Sequence, residues 1–214
     1  MFSLQKQSRK KVPAARTFCA AALVFPGLTQ YSKVRKTQTE FFTGVHTVDI
    51  TLQDFERAQQ RLKGVLHHTE LDLSATFSAM TGGNIYLKYE NSQKTGSFKI
   101  RGASNKIAAL VERGETGAVV ASSAGNHAQG VAYAAHRFGI PATIVMPKTA
   151  PIAKAKATEG YGATVVLAGD CYDDAYARAR EICEQEHATF LHPYNDPEVI
   201  AGQGTLGLEI LGDL

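Results

Sequence analysis

The sequence contains few cysteines and no long apolar run. Three cysteines occur among its 214 residues, and no two of them have the CxxC spacing of a metal knuckle or a redox pair. An odd number of cysteines without that spacing indicates neither a disulfide framework nor a metal site, so we expect a reducing compartment. The longest apolar run, residues 18–25, is far shorter than the roughly 20 residues that span a bilayer, which predicts a soluble protein without a membrane partner.

Positive charge is concentrated near the amino terminus. Residues 1–40 contain eight lysines and arginines and one acid, Glu40, whereas the remainder has 15 basic and 19 acidic residues. The basic segment has no heptads, zinc spacing or aromatic-glycine motif, so we expect no nucleic-acid partner. Residues 1–44 are typical of either a disordered leader or an organellar targeting sequence. The expected location is the cytoplasm, or an organelle if this extension is a transit peptide.

Short apolar runs alternate with helical patterns in the rest of the chain. The patterns predict strands at 85–87, 118–121, 142–146, 164–167 and 189–191, and helices at 51–63, 98–114, 128–138, 152–161, 172–186 and 198–211. Such alternation is typical of parallel βαβ units, so the predicted fold class is α/β with open parallel sheets and flanking helices. Ligands of such sheets bind in the loops that follow the strands, here after Tyr89, Ala121, Met146 and Leu191. Helices are predicted to end at left-handed glycine caps: Gly139, Gly160 and Gly162.

Lys99 lies in the first turn of a predicted helix, after a polar loop at 91–97. The positive end of the helix dipole disfavours a cation and therefore lowers the pKa of this amine. An amine that loses its proton readily is a nucleophile toward carbonyl groups, as a Schiff-base lysine must be. Taken alone, a solvated lysine at a helix start is the commoner explanation of this pattern.

Small and hydroxyl-bearing residues follow the predicted strand at 118–121. The loop at 122–127 contains two serines, a glycine and an asparagine, and it opens the next predicted helix. Exposed backbone N–H groups at a helix start form an anion site that suits a carboxylate. The alternative is that Ser123 or Asn126 is simply the N-cap of that helix.

Together these segments resemble the threonine ammonia-lyase (threonine dehydratase) branch of the tryptophan-synthase-β-like enzymes, which use pyridoxal phosphate (PLP). The resemblance runs from about Ile50 to Leu214 and rests on three motifs in the expected order, SFKIRGA at 97–103, SAGNHAQG at 123–130, and His192-Pro193 followed by VIAGQGT at 199–205. It implies the two-domain fold type II of PLP enzymes. Residues 45–115 and 199–214 would belong to the large domain, and residues 116–198 would form the small α/β domain.

The resemblance also implies roles for individual residues. Lys99 would bind PLP covalently and serve as the catalytic base, Phe98 would pack beside the cofactor, and Asn126 would hydrogen-bond its 3′ oxygen. The substrate carboxylate would bind the loop made of Ser123, Ala124, Gly125, Asn126 and His127. The implied reaction is the dehydration and deamination of L-threonine, and of L-serine, to 2-oxobutanoate or pyruvate plus ammonia. The implied partners are a small amino-acid substrate and, in the full-length protein, further copies of the chain.

Ala124 distinguishes this loop from that of the related serine racemases. Those enzymes have a serine at this position, which serves as the acid-base group on the cofactor face opposite the lysine. Without a second proton carrier, elimination is expected to dominate over racemisation. A serine racemase-like activity remains the alternative enzymatic function.

Two other patterns are not expected to carry chemistry. Residues 202–207 match GxGxxG, but they do not directly follow a strand, so we expect close helix packing rather than a dinucleotide site. His67, His68 and His192 have no further ligands at metal spacing. We therefore interpret them as core or loop residues.

Two features of the family are absent from the sequence. These are the glycine tetrad that holds the PLP phosphate and a later serine or cysteine that meets the pyridine nitrogen; both are expected after Leu214. We therefore expect the large domain to be incomplete and the chain to be a truncated form of a longer enzyme. The alternative is an inactive PLP-fold fragment that acts as a binding or partner module.

Overall fold

A computed structural model describes residues 23–24 and 49–214 of the chain. Most of the basic extension predicted at 1–44 therefore lies outside the described residues. The strands in the described part are β1 (Leu23–Val24), β2 (Leu71–Leu73), β3 (Tyr86–Lys88), β4 (Val119–Ser122), β5 (Ala142–Met146), β6 (Thr164–Leu167) and β7 (Thr189–Phe190). The helices are α1 (Leu52–Leu62), α2 (Ala75–Thr81), α3 (Lys99–Glu112), α4 (Asn126–Phe138), α5 (Ile152–Gly160), α6 (Tyr172–Glu186) and α7 (Pro197–Asp213), with a 3₁₀ turn at Glu90–Ser92.

Four strands form the parallel sheet that the sequence predicts. Their order is β6-β5-β4-β7, and β4 pairs with β5 from Val119↔Ala142 to Ser122↔Val145. Because all four strands are parallel, their carboxyl ends lie at one edge, where the loops to the next helices begin. The strands all fall within residues 116–198, and the division of the chain into two domains stays a prediction.

Helices cover both faces of this sheet. Ala121 and Ile144 point toward α4, whereas their neighbours Val120 and Val145 point toward α6. Side chains alternate between the two faces of a strand, so a strand covered on both faces consists of consecutive apolar residues. This is the physical reason why short apolar runs predicted these strands.

A small antiparallel sheet in the order β1-β3-β2 lies outside the parallel one. The sequence predicts only the central strand, at 85–87, and the structure places it one residue later. β2 and α2 are not predicted. Two of the three β2 residues are exposed and α2 has no buried residue, so neither element requires a regular apolar pattern.

Most helix ends follow the local sequence signals. A capping box between Thr51 and Asp54 begins α1, and Gly139 ends α4 in the left-handed conformation with a φ of 69°. α5 ends at Gly160 as predicted, but the left-handed conformation predicted for this residue is wrong, and the left-handed glycine after α5 is Gly162, with a φ of 93°. His187 takes the left-handed position after α6 with a φ of 51°.

Glycines let α3 approach both of its neighbouring helices. A Cβ on Gly202 of α7 would lie 2.6 Å from the Arg101 carbonyl oxygen, and one on Gly102 would lie 2.7 Å from the Val199 carbonyl oxygen. On the other side, a Cβ on Gly130 of α4 would lie 3.2 Å from the Ile100 Cα. The packing interpretation of the GxGxxG match is therefore confirmed for Gly202, which allows α7 to lie directly against the lysine-bearing helix.

Two kinds of feature are not found in the part of the chain that the structure describes. None of the described helices combines the length and the hydropathy of a membrane-spanning segment. No group of three or more His, Cys, Asp or Glu side chains there is arranged to hold a metal ion.

Candidate active site

A cavity of about 440 Å³ lies at the carboxyl ends of β4 and β7. It lies in the loops after these strands, as the rule for open α/β sheets predicts. Its wall consists of Phe98, Lys99, Ser122, Ser123, Asn126, His127, Tyr172, Pro193 and Tyr194. The structure thus brings five of the predicted site residues together. Ala124 and Gly125 lie in the same loop but are not part of this wall.

Lys99 is the first residue of α3, and its side chain is half-buried. Its Nζ donates a hydrogen bond to the Pro193 carbonyl oxygen at 3.0 Å and lies 5.5 Å from the centre of the Phe98 ring. Burial of the amine lowers the pKa of Lys99, because removal from water disfavours the charged form. The amine therefore loses its proton more readily than a solvated lysine, in the direction that the sequence predicts.

The loop before α4 has the geometry of an anion site. Gly125 is the N-cap residue, so the interpretation of Ser123 or Asn126 as the N-cap is wrong. The Ser123 hydroxyl instead accepts a hydrogen bond from the Gly125 N–H at 3.2 Å, and the Ser123 N–H donates to the Val145 carbonyl at 3.1 Å. A side-chain cap would occupy the first N–H groups of α4, and a glycine cap leaves them available to a ligand.

His127 is almost completely buried beneath this loop. Its Nε2 lies 3.1 Å from the Leu191 carbonyl oxygen, whereas its Nδ1 has no hydrogen-bond partner among the described residues. Burial lowers the pKa of His127 to about 4. The imidazole is therefore neutral at physiological pH, with the Nε2 proton donated to Leu191.

Buried ion pairs fix the first turn of α3 next to Lys99. Arg101 is 1% exposed and donates to Glu90 at 2.7 and 2.8 Å and to Glu209 at 2.6 and 2.8 Å. Lys88 Nζ in turn lies 3.0 Å from Glu209 and 3.1 Å from Asp213. These contacts join α3 to α7 and to the 3₁₀ turn after β3, and they hold the lysine-bearing turn in one place.

The residues of the wall fit a cofactor that has an aldehyde and a polar ring. A half-buried amine of lowered pKa suits covalent attachment to a carbonyl group, and the Asn126 amide lies on the same wall. The buried Ser122 hydroxyl and His127 Nδ1 have no partners among the described residues, as is common where a ligand or water completes a site. The volume lies within the roughly 300 to 1,000 Å³ range of small-molecule sites.

Comparison with known families decides the assignment. A family model described as pyridoxal-phosphate dependent enzyme matches residues 63–214. The chain belongs to this family. The cofactor of this family is PLP, as the resemblance implies. The predicted α/β fold class of PLP enzymes is also confirmed.

Several PLP enzymes are similar to this chain in sequence or in structure. L-threonine ammonia-lyase of Thermotoga maritima is 61% identical over 165 residues, which are 77% of this chain and 41% of that protein. The crystal structure of a threonine deaminase from T.th. has 44% identity and a TM-score of 0.70, over 76% of this chain and 51% of that one. Maize serine racemase has 36% identity and a TM-score of 0.75, over 78% of this chain and 51% of that one. The chain spans about half the length of these relatives or less.

The remaining wall residues were not predicted as site residues. Pro193 and Tyr194 follow β7, where the rule for strand ends indicates a ligand loop but does not identify a residue. Ser122 is the last residue of β4, and Tyr172 begins α6 after the β6 loop, which was not predicted as a ligand loop. Strand-end position is the signal that finds Ser122, and no pattern in the sequence singles out Tyr172.

Proposed function

We propose that this chain forms part of a PLP-dependent ammonia-lyase that acts on L-threonine and L-serine. The products would be 2-oxobutanoate or pyruvate, with release of ammonia. The observation that carries the proposal is the position of the Lys99 amine, half-buried in the same cavity wall as the loop that precedes α4. The 61% identity to a named L-threonine ammonia-lyase supports the choice of substrate. A cytoplasmic location, a homo-oligomeric state and a role in isoleucine biosynthesis are proposed with it.

Lys99 has two roles in this proposal. PLP, when bound, supplies the aldehyde that bonds to an amine and the electron-withdrawing ring that stabilises negative charge at the substrate Cα. Lys99 is the residue that would hold PLP, through its Nζ and this aldehyde. The same amine, when free, would accept the substrate Cα proton, and its lowered pKa keeps a fraction of it unprotonated for this role.

The loop before α4 would bind and orient the substrate carboxylate. The backbone N–H groups that follow Gly125 point out of the start of α4, and the positive end of the helix dipole adds to their attraction for an anion. Asn126 would contact the cofactor ring from the same helix turn. Because His127 is neutral, its side chain adds no second positive charge, and it anchors the loop through the Leu191 carbonyl.

Serine racemisation is the second candidate, favoured by the similarity to maize serine racemase. Racemisation needs a proton donor on the face opposite Lys99, and the methyl side chain of Ala124 has no transferable proton. We therefore expect elimination to exceed racemisation. Chiral chromatography of products from L-serine tests this point, and D-serine formed as fast as pyruvate would refute it.

Reaction of PLP with lysine variants tests the site itself. Wild-type protein is expected to gain a visible absorbance band with PLP, and borohydride reduction followed by peptide mapping is expected to place the cofactor on Lys99. Lys99→Ala should lose both the band and the deamination of L-threonine. Lys94→Ala is the matched control, because Lys94 lies in the preceding loop and contacts the Tyr133 ring, 5.9 Å away, rather than the cavity. A Lys99→Ala protein that deaminates L-threonine at the wild-type rate would refute the assignment.

A further inference from the structure

The segment after β7 provides two backbone acceptors to the site. Residues 191–195, named here the carbonyl segment, accept a hydrogen bond from His127 Nε2 at the Leu191 oxygen and one from Lys99 Nζ at the Pro193 oxygen, at 3.1 and 3.0 Å. The segment therefore contacts both the first turn of α4 and the amine of α3. Its conformation determines where the amine is held.

His192 determines the conformation of this segment. Its Nδ1 accepts hydrogen bonds from the backbone N–H of Asn195 at 2.8 Å and of Tyr194 at 3.3 Å. A side-chain acceptor that receives N–H groups two and three residues later closes a tight turn, as asparagine and aspartate do in Asx turns. The Pro193 carbonyl belongs to the residue enclosed by this turn.

The surroundings of His192 keep the ring fixed and its Nδ1 unprotonated. The ring packs edge-on against Tyr194 with centroids 4.6 Å apart and against Phe190 at 6.2 Å. Burial lowers the pKa of His192, and the nearby Asp196 carboxylate opposes this only in part. A protonated Nδ1 would face two N–H donors, so the turn requires the neutral ring.

We propose that His192 is a positioning residue that places the Pro193 carbonyl against the Lys99 amine and thereby sets the readiness of that amine to bond with PLP. The proposal rests on the proposed function, in which Lys99 is the cofactor-binding lysine. His192 acts only through the turn and does not touch the reacting atoms. Without its Nδ1 acceptor the turn opens, the half-buried amine loses its fixed partner, and its exposure to water increases.

Water at the amine has a defined chemical consequence. The pKa of Lys99 is lowered by burial, so hydration moves the pKa back toward its ordinary value. A higher pKa lowers the fraction of free amine at neutral pH. Bonding of the aldehyde should slow accordingly, and the pH at which it becomes half-maximal should rise.

Three variants distinguish the effect of the Nδ1 acceptor of His192 from the effect of its aromatic ring. His192→Asn keeps an acceptor at the correct distance for an Asx turn, and His192→Phe keeps a ring but has no acceptor. His67→Phe is the matched control, because His67 is exposed and lies outside the cavity wall. If His192→Phe does not fold, His192→Gln replaces it, because its amide is one bond too long to close the same turn.

The experiment measures the rate of PLP capture by visible absorbance over a pH series, with borohydride trapping to locate the adduct and circular dichroism to check folding. His192→Phe should capture PLP more slowly than the wild type at pH 7 and show a higher pH midpoint, whereas His192→Asn and His67→Phe should resemble the wild type. His192→Phe with the wild-type rate and midpoint, or His192→Asn as slow as His192→Phe, would overturn the inference. Failure of wild-type protein to capture PLP on Lys99 would instead overturn the proposed function.

Discussion

Replacement of Arg101 by leucine should destabilise the protein by about 3 to 5 kcal/mol, the typical cost of breaking a buried ion pair from one side. The guanidinium is 1% exposed and makes two hydrogen bonds to each of two carboxylates. Among the residues that the structure describes, Glu90, which is 2% exposed, would keep only the hydroxyl of Thr69 as a side-chain partner, at 2.6 Å. Glu209 is 13% exposed and would retain Lys88, so most of the cost is expected from Glu90.

Urea denaturation followed by circular dichroism measures this cost. With an m-value of about 2 to 3 kcal/mol/M, the midpoint of Arg101→Leu should fall by about 1 to 2.5 M. Arg113→Leu is the matched control, because the Arg113 side chain is 43% exposed and its pairs with Glu115 and Glu198 lie at the surface. Surface pairs contribute about 0 to 1 kcal/mol. A loss below about 1 kcal/mol for Arg101→Leu would refute the argument that buried carboxylates depend on this guanidinium.

The pH dependence of the free energy of unfolding gives a second test of the contacts of Arg101. Burial alone raises the pKa of Glu209, but hydrogen bonds from Arg101 and Lys88 outweigh it and hold the pKa below its ordinary value. A carboxylate with a lowered folded-state pKa contributes stability above its unfolded pKa, and this contribution is lost as the pH falls through the folded value. The difference in free energy of unfolding between the wild type and Arg101→Leu should therefore shrink on acidification below about pH 4.5. A difference that stays unchanged below this pH would contradict the role given to the Arg101–Glu209 contact.

Two further predictions concern the helix contacts and the buried imidazole. Gly202→Ala should destabilise the protein by about 1 to 3 kcal/mol through its clash with the Arg101 carbonyl. At Gly207 no atom of the described residues, apart from its own helix backbone and chain neighbours, lies within 4 Å of the new methyl group, so Gly207→Ala should stabilise α7 by about 0.5 to 1 kcal/mol. Thermal melting of both variants distinguishes them, and equal effects would contradict the packing argument. The pKa of His127 in the folded protein is about 4, below its ordinary value of 6.5. Between these two pH values the unfolded chain binds more protons than the folded protein. The free energy of unfolding should therefore fall by up to about 3 kcal/mol as the pH drops through this range. His127→Gln keeps a donor for Leu191 but does not titrate, so urea melts at pH 7 and pH 5 should show a smaller pH effect in this variant, and an equal effect would assign the titration to another group.

The parallel sheet was predictable from the sequence because both of its faces are covered. Strands β5 and β6 have the predicted bounds, since each is a run of mostly apolar residues with a single threonine, although the edge strand β6 is less buried than β5. The small antiparallel sheet gave no such signal, because β2 is largely exposed and only three residues long. Exposed elements can tolerate polar residues at any position, so their sequences do not reveal their structure.

The side chains of the candidate site were also predictable, because a charged, amide or imidazole group is visible in the sequence. The structure places Lys99, Asn126 and His127 in one cavity wall, and their roles stay proposals. The position of Tyr172 was not predictable, since it depends on how the loop after β6 returns across the sheet edge. Long-range placement of this kind is a property of the fold and has no local pattern.

The acceptors that hold the site together are a different case, because they are backbone carbonyls. Every residue has a carbonyl group, so the sequence does not indicate that those of Leu191 and Pro193 receive hydrogen bonds from His127 and Lys99. What a sequence can reveal is a side chain that shapes the backbone around such a carbonyl. His192 is that side chain here, and it looked like an ordinary loop histidine because it has no metal ligands beside it among the described residues. If the turn it closes sets the reactivity of Lys99, then the chemistry of this site depends on a residue that never contacts the cofactor, and a search limited to residues around the lysine would miss it.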